Sequence, residues 1–351
     1  MTWSFDAMMR EPAAWLDGSG ARSDVILSTR VRLARNIEGE RFPGRAGRAD
    51  LERVRDRALE AALRSNYLRN ALVVRVEDAD EPQRQILVER HLASPELACG
   101  GPGGAVVVGE REIVSVMVNE EDHIRLQCIR SGLQPLDAWR LAGKIESELD
   151  RNLHYAFLSD WGYLTACPTN VGTGMRVSVL AHFIALVRSG RVSQVLGSVS
   201  KLGLSVRGFY GEGSAAQGAF FQISNRTTLG QTEDDIAYTV ERVAGQLSNL
   251  ESEARAQLAA SDRRLADEAW RAYGVLRSAR LLTAGEVMEL ASSLRLGVAE
   301  GLIDTVPLST VNRLLVVTQP GHLRYVRGDA SAEERNALRA DIVRRELSSA
   351  H

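Results

Sequence analysis

The sequence predicts an α+β protein in two parts: a mixed sheet-and-helix domain over residues 1–255 and a small all-helical domain over 260–351. Three observations predict it. Segments that alternate polar and apolar residues, the pattern of half-buried strands, recur as far as residue 225. Beyond residue 232 only helical patterns remain, opened by Thr or Ser with an acid three residues on. The length, 351 residues, exceeds what one core usually supports.

Residues 24–34, DVILSTRVRLA, read as a strand with Val31 and Leu33 on one side and Ser28, Arg30 and Arg32 on the other. A helix is expected over 51–65, a short strand over 73–76 and a helix over 82–92 that stops near Pro95. GGPGG (100–104) is a flexible connection into a hairpin of 105–109 and 112–119. Residues 123–128 alternate again, with Ile124, Leu126 and Cys128 opposite His123, Arg125 and Gln127. A helix follows over 136–152, a strand over 161–166 and the loop CPTNVGTG over 167–174. Helices are predicted over 175–189 and 192–202, then strands over 204–210 and 219–225 flanking the loop GEGSAAQG (211–218). Thr232 with Asp235 opens a helix reaching about 259. Thr283 with Glu286 and Ser331 with Glu334 mark two later helix starts.

Composition narrows the function. Apolar residues are 44% and charged residues 25%, ordinary for a soluble globular chain. No apolar run reaches the 18 residues or more that a bilayer requires, and the N-terminus lacks the apolar core of a secretion signal. A cytoplasmic protein is expected. Cys99, Cys128 and Cys167 form no CxxC pair, which disfavours structural zinc and a disulfide framework. A net charge of −2 and few aromatic residues disfavour a nucleic-acid binder. Lys144 and Lys201 are the only lysines, and neither stands in a phosphate-binding G-x-x-x-x-G-K-[ST] loop. Any nucleotide phosphates must therefore be held by arginine.

Arg30, Arg32, Arg125, Arg176 and Arg207 all stand on strand faces or beside Gly-rich loops. A single arginine in such a place is ordinarily a solvated surface charge. Together they suggest a polyphosphate clamp, since guanidinium groups grip phosphate oxygens bidentately and stay charged. The helix expected from residue 175 would add its N-terminal dipole beside Arg176. The run NEEDHIR (119–125) concentrates Glu120, Glu121 and Asp122 at a strand end, and Glu212 lies between glycines. Such acids can be no more than a solvated turn. The alternative is a grip on a planar guanidinium that orients one nitrogen towards a γ-phosphorus and removes its proton. Cys167, in a polar loop, could orient that cation as a thiolate. His91 and His123 carry no metal-ligand spacing.

STRVRLARN, NEEDHIRL, CPTNVGTGMR and RGFYGEGS, in this order over roughly residues 24–250, resemble the guanidino (phosphagen) kinase family, and most closely its branch that phosphorylates arginine within proteins. The resemblance implies an antiparallel sheet flanked by helices. It implies ATP contacts at Ser28, Thr29, Arg30, Val31 and Arg32, at His91 and Arg125, at Arg176, Val177, Ser178, Val179 and Leu180, and at Arg207, Gly208, Phe209, Tyr210, Gly211 and Glu212. Glu121, as base, and Glu212 would grip the guanidinium beside Cys167. Magnesium would ride on the ATP phosphates. The family's small-molecule kinases carry a helical domain ahead of the catalytic one, which this chain is expected to lack.

The C-terminal stretch RNALRA is similar to a phosphoarginine-binding motif and would place Arg335, Asn336, Arg339 and Ala340 there, with Asn336 where the motif has an acid. Implied partners are protein substrates, Clp protease components, an activator protein and a second copy of the chain, with no membrane or nucleic acid. The rival readings are a kinase of free arginine or another small guanidine, and a non-catalytic phosphoarginine-binding adaptor.

Overall fold

The computed structural model describes residues 3–208, 218–261 and 264–349. Helix α1 (Phe5–Arg10) and a 3-10 turn (Ala14–Leu16) precede the central strand β1 (Ile26–Arg35). Helix α2 (Arg48–Arg64), strand β2 (Leu72–Arg75) and helices α3 (Glu81–Glu89) and α4 (Pro95–Ala98) follow. Strands β3 (Ala105–Val108) and β4 (Val114–Val118) form the expected hairpin, and β5 (Ile124–Ser131) leads to helix α5 (Pro135–Leu153). A small hairpin, β6 (Phe157–Leu158) and β7 (Gly162–Tyr163), precedes β8 (Met175–His182). Then come α6 (Ile184–Arg188), α7 (Val192–Lys201), β9 (Leu204–Gly208) and β10 (Phe220–Asn225). The remainder is helical: α8 (Glu233–Ser261), α9 (Arg264–Ser278), α10 (Ala284–Ala299), α11 (Leu308–Val317), α12 (Pro320–Arg327) and α13 (Ala332–Ser348). Among the described residues no helix is long and apolar enough to cross a membrane.

Among the described residues eight strands pair antiparallel in the order β2-β3-β4-β5-β1-β8-β10-β9. One face carries Val31, Leu33, Leu126, Cys128, Val177, Val179 and Ile223 into a core with α2, α5 and α8. The other face carries Ser28, Arg30 and Arg32 of β1. Opposite them stand Ser131, Ile129 and Gln127 on β5, with Arg125 on the same face one step beyond and opposite Ala34, then Leu180, Ser178 and Arg176 on β8, and, further out, Gln222 on β10 facing Arg207 on β9.

The helix expected over 175–189 is instead strand β8 followed by the short helix α6. Val177, Val179 and Ala181 alternate with Ser178, Leu180 and His182, and all six are buried because both faces of this central strand are covered. A strand apolar on both sides mimics a buried helix in sequence. Arg176 therefore stands inside a strand, and the helix dipole expected beside it is absent there. The strand expected over 161–166 also shrinks to Gly162–Tyr163.

The C-terminal helices share a core with the sheet. Trp15, Leu27, Ile129, Leu180 and Phe220 form one apolar cluster with Val287, Leu294, Val311 and Leu314. A buried polar seam runs beside it. Arg295 of α10 donates to Asn312 (3.0 Å), to the carbonyls of Asp24 (2.7 Å) and Ser23 (2.5 Å), and to His182 Nδ1 (3.2 Å).

Candidate active site

The polar sheet face gathers the arginines. Side chains two apart on β1 lie roughly 6.6 Å from one another, and directly opposed residues on neighbouring strands stand roughly 5 Å apart. Arg30, Arg32 and Arg176 thus form a grid of cations, Arg32 directly opposing Arg176. Arg30 is lowered to about 10 by burial and by the charges of Arg125 and Arg176. Arg32 is held well below the usual arginine range by burial and by the charges of Arg30, Arg125 and Arg176, with Glu120 opposing. These shifts mark crowded positive charge that a polyphosphate would relieve. His91, which closes α3 at φ 60°, is pushed down to about 3 by burial and by Arg30 and Arg32, so it stays neutral. Gln127 holds its carbonyl at 2.6 Å. At the Ser28 end a narrow cleft, with a free cavity volume of only about 20 Å³, is lined by Trp15, Ser28, Arg30, His91, Ile129, Ser178, Leu180 and Gln222.

The three acids of NEED divide their work. Glu120 pairs with Arg125 at 2.5 Å. Burial opposes its ionisation, but Arg125 and hydrogen bonds from Ser94 and the Glu121 backbone outweigh that and hold its carboxyl below the usual range. Asp122 is buried and accepts from Asn36 Nδ2 (2.6 Å) and the Ala166 amide (2.7 Å), tying the end of β1 to the cysteine loop. It is therefore not available to a ligand cation. Glu121 alone is exposed. Its pKa is raised by partial burial and by the charges of Asp122 and Glu120, and the Cys167 thiol hydrogen-bonds to it. His123 accepts from the Ile37 amide through Nδ1 (3.1 Å) and contacts the Arg41 carbonyl through Nε2 (2.9 Å), a structural tie.

The cysteine loop is fixed from several sides. Thr228 Oγ1 donates to the Thr169 and Val171 carbonyls at 2.9 and 2.7 Å. Gly172 has φ 108°, and a Cβ there would lie 2.4 Å from the Thr228 carbonyl, so only glycine fits. Arg35 donates to the Thr173 carbonyl (2.9 Å), pairs with Glu146 (2.9 Å) and lies 3.4 Å over the Tyr163 ring. Cys167 is half-buried, with Sγ 3.0 Å from Thr169 Oγ1. Rigid backing thus places the thiol beside Glu121.

The structure puts Arg30, Arg32, Arg125, Arg176 and Arg207 on one sheet face, with Ser28, Ser178 and Leu180. Thr29, Val31, Val177 and Val179 point the other way, and Thr29 Oγ1 donates to the Gly132 carbonyl (2.6 Å). Any part these four take in the site is through their backbone. Gly208 ends β9; Phe209, Tyr210, Gly211 and Glu212 lie outside the described residues. Sequence reasoning missed Trp15, Gln222, Asn36 and Ser94. Only Ser94, in the SPEL segment, left a signal, as the N-cap of α4.

A second cavity, of about 470 Å³, opens in the C-terminal region, lined by Arg324, Arg335, Asn336 and Arg339 together with Gln85, Ala284, Pro320, Asp329 and Ala332. Arg339 donates to the Leu282 and Thr318 carbonyls (2.8 Å each) and to Asn336 Oδ1 (2.7 Å). Ala340 is fully buried and does not line this cavity.

Comparison with known proteins follows the same geography. Residues 54–254 match the family described as ATP:guanido phosphotransferase, C-terminal catalytic domain, and residues 262–351 match the Protein-arginine kinase McsB C-terminal domain. The protein-arginine kinase of Desulforamulus reducens is 42% identical over 341 residues, 95% of each chain. That of Symbiobacterium thermophilum is 41% identical over 355 residues, 99% of this chain and 100% of its own. Among solved structures, the duplicated taurocyamine kinase from Schistosoma mansoni with bound transition state analog components has a TM-score of 0.60 at 25% identity. That match covers 65% of this chain and 33% of the longer one.

Proposed function

We propose, from the premise that this chain belongs to the ATP:guanido phosphotransferase family and to its protein-arginine kinases, a working mechanism for the arginine-lined sheet face. The enzyme transfers a phosphoryl group from ATP to arginine side chains of proteins. The observation that carries the residue assignments is the convergence of five arginines on one face, beside an exposed Glu121 that is hydrogen-bonded to Cys167.

In this reading Arg32, Arg125, Arg176 and Arg207 hold the phosphates, and the Ser28 end of the face takes the nucleoside. The substrate guanidinium lies against Glu121, with Cys167 orienting it and Glu212 as the second carboxylate. A guanidinium nitrogen attacks the γ-phosphorus, so the N–P bond forms while the bond from phosphorus to the ADP oxygen breaks. The nitrogen's proton passes to the Glu121 carboxylate. The raised pKa of Glu121 suits this step, because a base closer to working pH is a better proton acceptor. Clustered arginines stabilise charge on the transferring group without reorganising, the main lever in phosphoryl transfer.

Among the described residues no three His, Cys, Asp or Glu side chains gather as metal ligands. Magnesium would ride on the ATP phosphates and neutralise part of their charge. The C-terminal cavity, with Arg335 and Arg339 on one helix and Arg324 across from them, suits a phosphoarginine. Asn336, whose Oδ1 is taken by Arg339, leaves the guanidinium end of that ligand without an acid from this position. Marking of proteins for Clp-type degradation, an activator protein, a homodimer, a cytoplasmic location and the division near residues 255–260 complete the proposal. The test is incubation with ATP, magnesium and either an unfolded protein or free arginine, followed by mass spectrometry under non-acidic conditions. Phosphoarginine on the protein is expected; phosphorylation of free arginine alone would overturn the reading.

A further inference from the structure

The cleft at the Ser28 end holds one group that the mechanism above does not use. Trp15 lies in the 3-10 turn before β1, and its side chain is only 1% exposed. One side of the indole packs into the core shared with the C-terminal helices. The turn is pinned from that direction, because Asn312 Nδ2 of α11 donates to the Leu16 carbonyl at 3.1 Å. The Trp15 ring also forms part of the cleft wall, its centroid 5.5 Å from that of His91 at 58°.

The indole Nε1–H is buried and meets no acceptor among the described residues. Indole nitrogen can only donate, and buried tryptophans ordinarily find a partner for it. The cleft that Trp15 helps to line also presents Arg30, itself only a donor, with Ser28 and Gln222. A ligand acceptor would complete the site. Which part of the nucleotide arrives there follows from strand geometry. Ser28 and Arg32 are four residues apart on one face of β1, roughly 13 Å at the rise of a strand. With the phosphates on Arg32, Arg125 and Arg176, the Ser28 end receives the base. Purine ring nitrogens are acceptors.

We propose that Trp15 donates its Nε1–H to a ring nitrogen of the adenine base, making the N-terminal turn a specificity-determining part of the nucleotide site. This rests on the nucleotide reading of the sheet face. The test uses the full chain, with steady-state kinetics for ATP and for its 1-deaza, 3-deaza and 7-deaza analogues, each lacking one ring acceptor. Trp15→Phe keeps an aromatic ring in the turn and removes the donor together with part of the indole's volume, so its melting is measured beside the kinetics.

The expected result is a KM for ATP raised about two- to tenfold, the value of one neutral hydrogen bond, with kcat nearly unchanged. One deaza analogue should cost the wild-type enzyme a similar factor and cost Trp15→Phe nothing further. An unchanged KM in a variant that melts like wild type would overturn the proposal. So would a wild-type enzyme that binds all three analogues as well as ATP, a measurement that needs no variant. Arg32→Ala separates the two levels of argument. If it binds ATP normally, the nucleotide reading fails and takes the proposal with it. If it loses ATP while Trp15→Phe is silent, the Trp15 assignment alone falls.

Discussion

Replacing Arg295 with methionine should loosen the join between the C-terminal helices and the strand that carries Ser28 to Arg32. The variant keeps the aliphatic stem and removes every donor. Three acceptors then lose their partner, Asn312 Oδ1, the Ser23 carbonyl and His182 Nδ1, while the Asp24 carbonyl keeps its bond from Arg255 Nη2 at 3.2 Å. An orphaned buried acceptor costs about 1–3 kcal/mol. Part of that is offset, because burial and the Arg255 charge already lower Arg295 to about 9 and its removal relieves that cost. A net loss of about 3–5 kcal/mol is expected from the orphaned acceptors after that offset. For 351 residues the unfolding entropy is ~0.7 kcal/mol/K, so Tm should fall by ~4–7 °C. The assay is a melt followed by circular dichroism, alongside the KM for ATP, which should rise because Ser23 and Asp24 lead into β1. A Tm within about 1 °C of wild type would refute the claim that this arginine fastens the two regions.

Glu121→Gln should lower kcat about 10²–10⁴-fold while leaving ATP binding intact by titration calorimetry, and near-normal turnover would remove Glu121 from the chemistry. Activity needs ionised Glu121, whose pKa is raised by partial burial and by Asp122 and Glu120, so kcat should fall on acidification at a pH above the ordinary carboxylate range. In Asp122→Asn that acidic limb should move to lower pH; a limb that stays put contradicts the assigned cause. Arg125→Ala should cut turnover by roughly 10³–10⁵-fold with little change in melting, and full activity would dismantle the clamp. His182 is held neutral by burial and by the charges of Arg295, Arg255 and Arg188, so its folded pKa lies well below its unfolded value. The unfolded chain therefore takes up the proton first. The stability due to His182 is complete above the unfolded pKa and declines as pH falls below it, by about 1.4 kcal/mol per unit. Thermal melts of His182→Gln between pH 8 and 5.5 should show a shallower acid slope than wild type, and parallel slopes would disprove this.

What the sequence disclosed and what it withheld follow from how local each signal is. Thr283 with Glu286 and Ser331 with Glu334 were legible because a capping box closes within four residues, and both caps form. The arginine face was legible because side-chain alternation on β1 and β5 is set by the strand itself. Strand β8 was not, since burial on both faces erased the polar half of its alternation. Nor was the division of labour within NEED. The partners that occupy Asp122 are Asn36 and Ala166, 86 and 44 positions away, and no local pattern announces them. Trp15 was invisible for the same reason: its wall of the cleft is shared with His91, Leu180 and Gln222, which are brought together only by the sheet.

A sheet face is an unusual place to concentrate cations, and the rest of the fold explains how it is tolerated. A phosphate-binding loop works with backbone amides and one lysine, whereas this chain has only Lys144 and Lys201, in neither case in such a loop. In the proposed mechanism, side chains on adjacent strands supply the alternative, a grid of guanidinium forks that meets the phosphate groups. The cost is burial of the charges and, after it, their mutual repulsion, which together lower Arg30 and Arg32. Glu120 relieves Arg125, and the central strands are held in register by the apolar core on their opposite face. Because that core fixes the spacing before any ligand arrives, the guanidinium forks need little reorganisation when phosphate binds. In the proposed mechanism, the charge repelled in the free protein becomes charge that stabilises the transferring phosphoryl group.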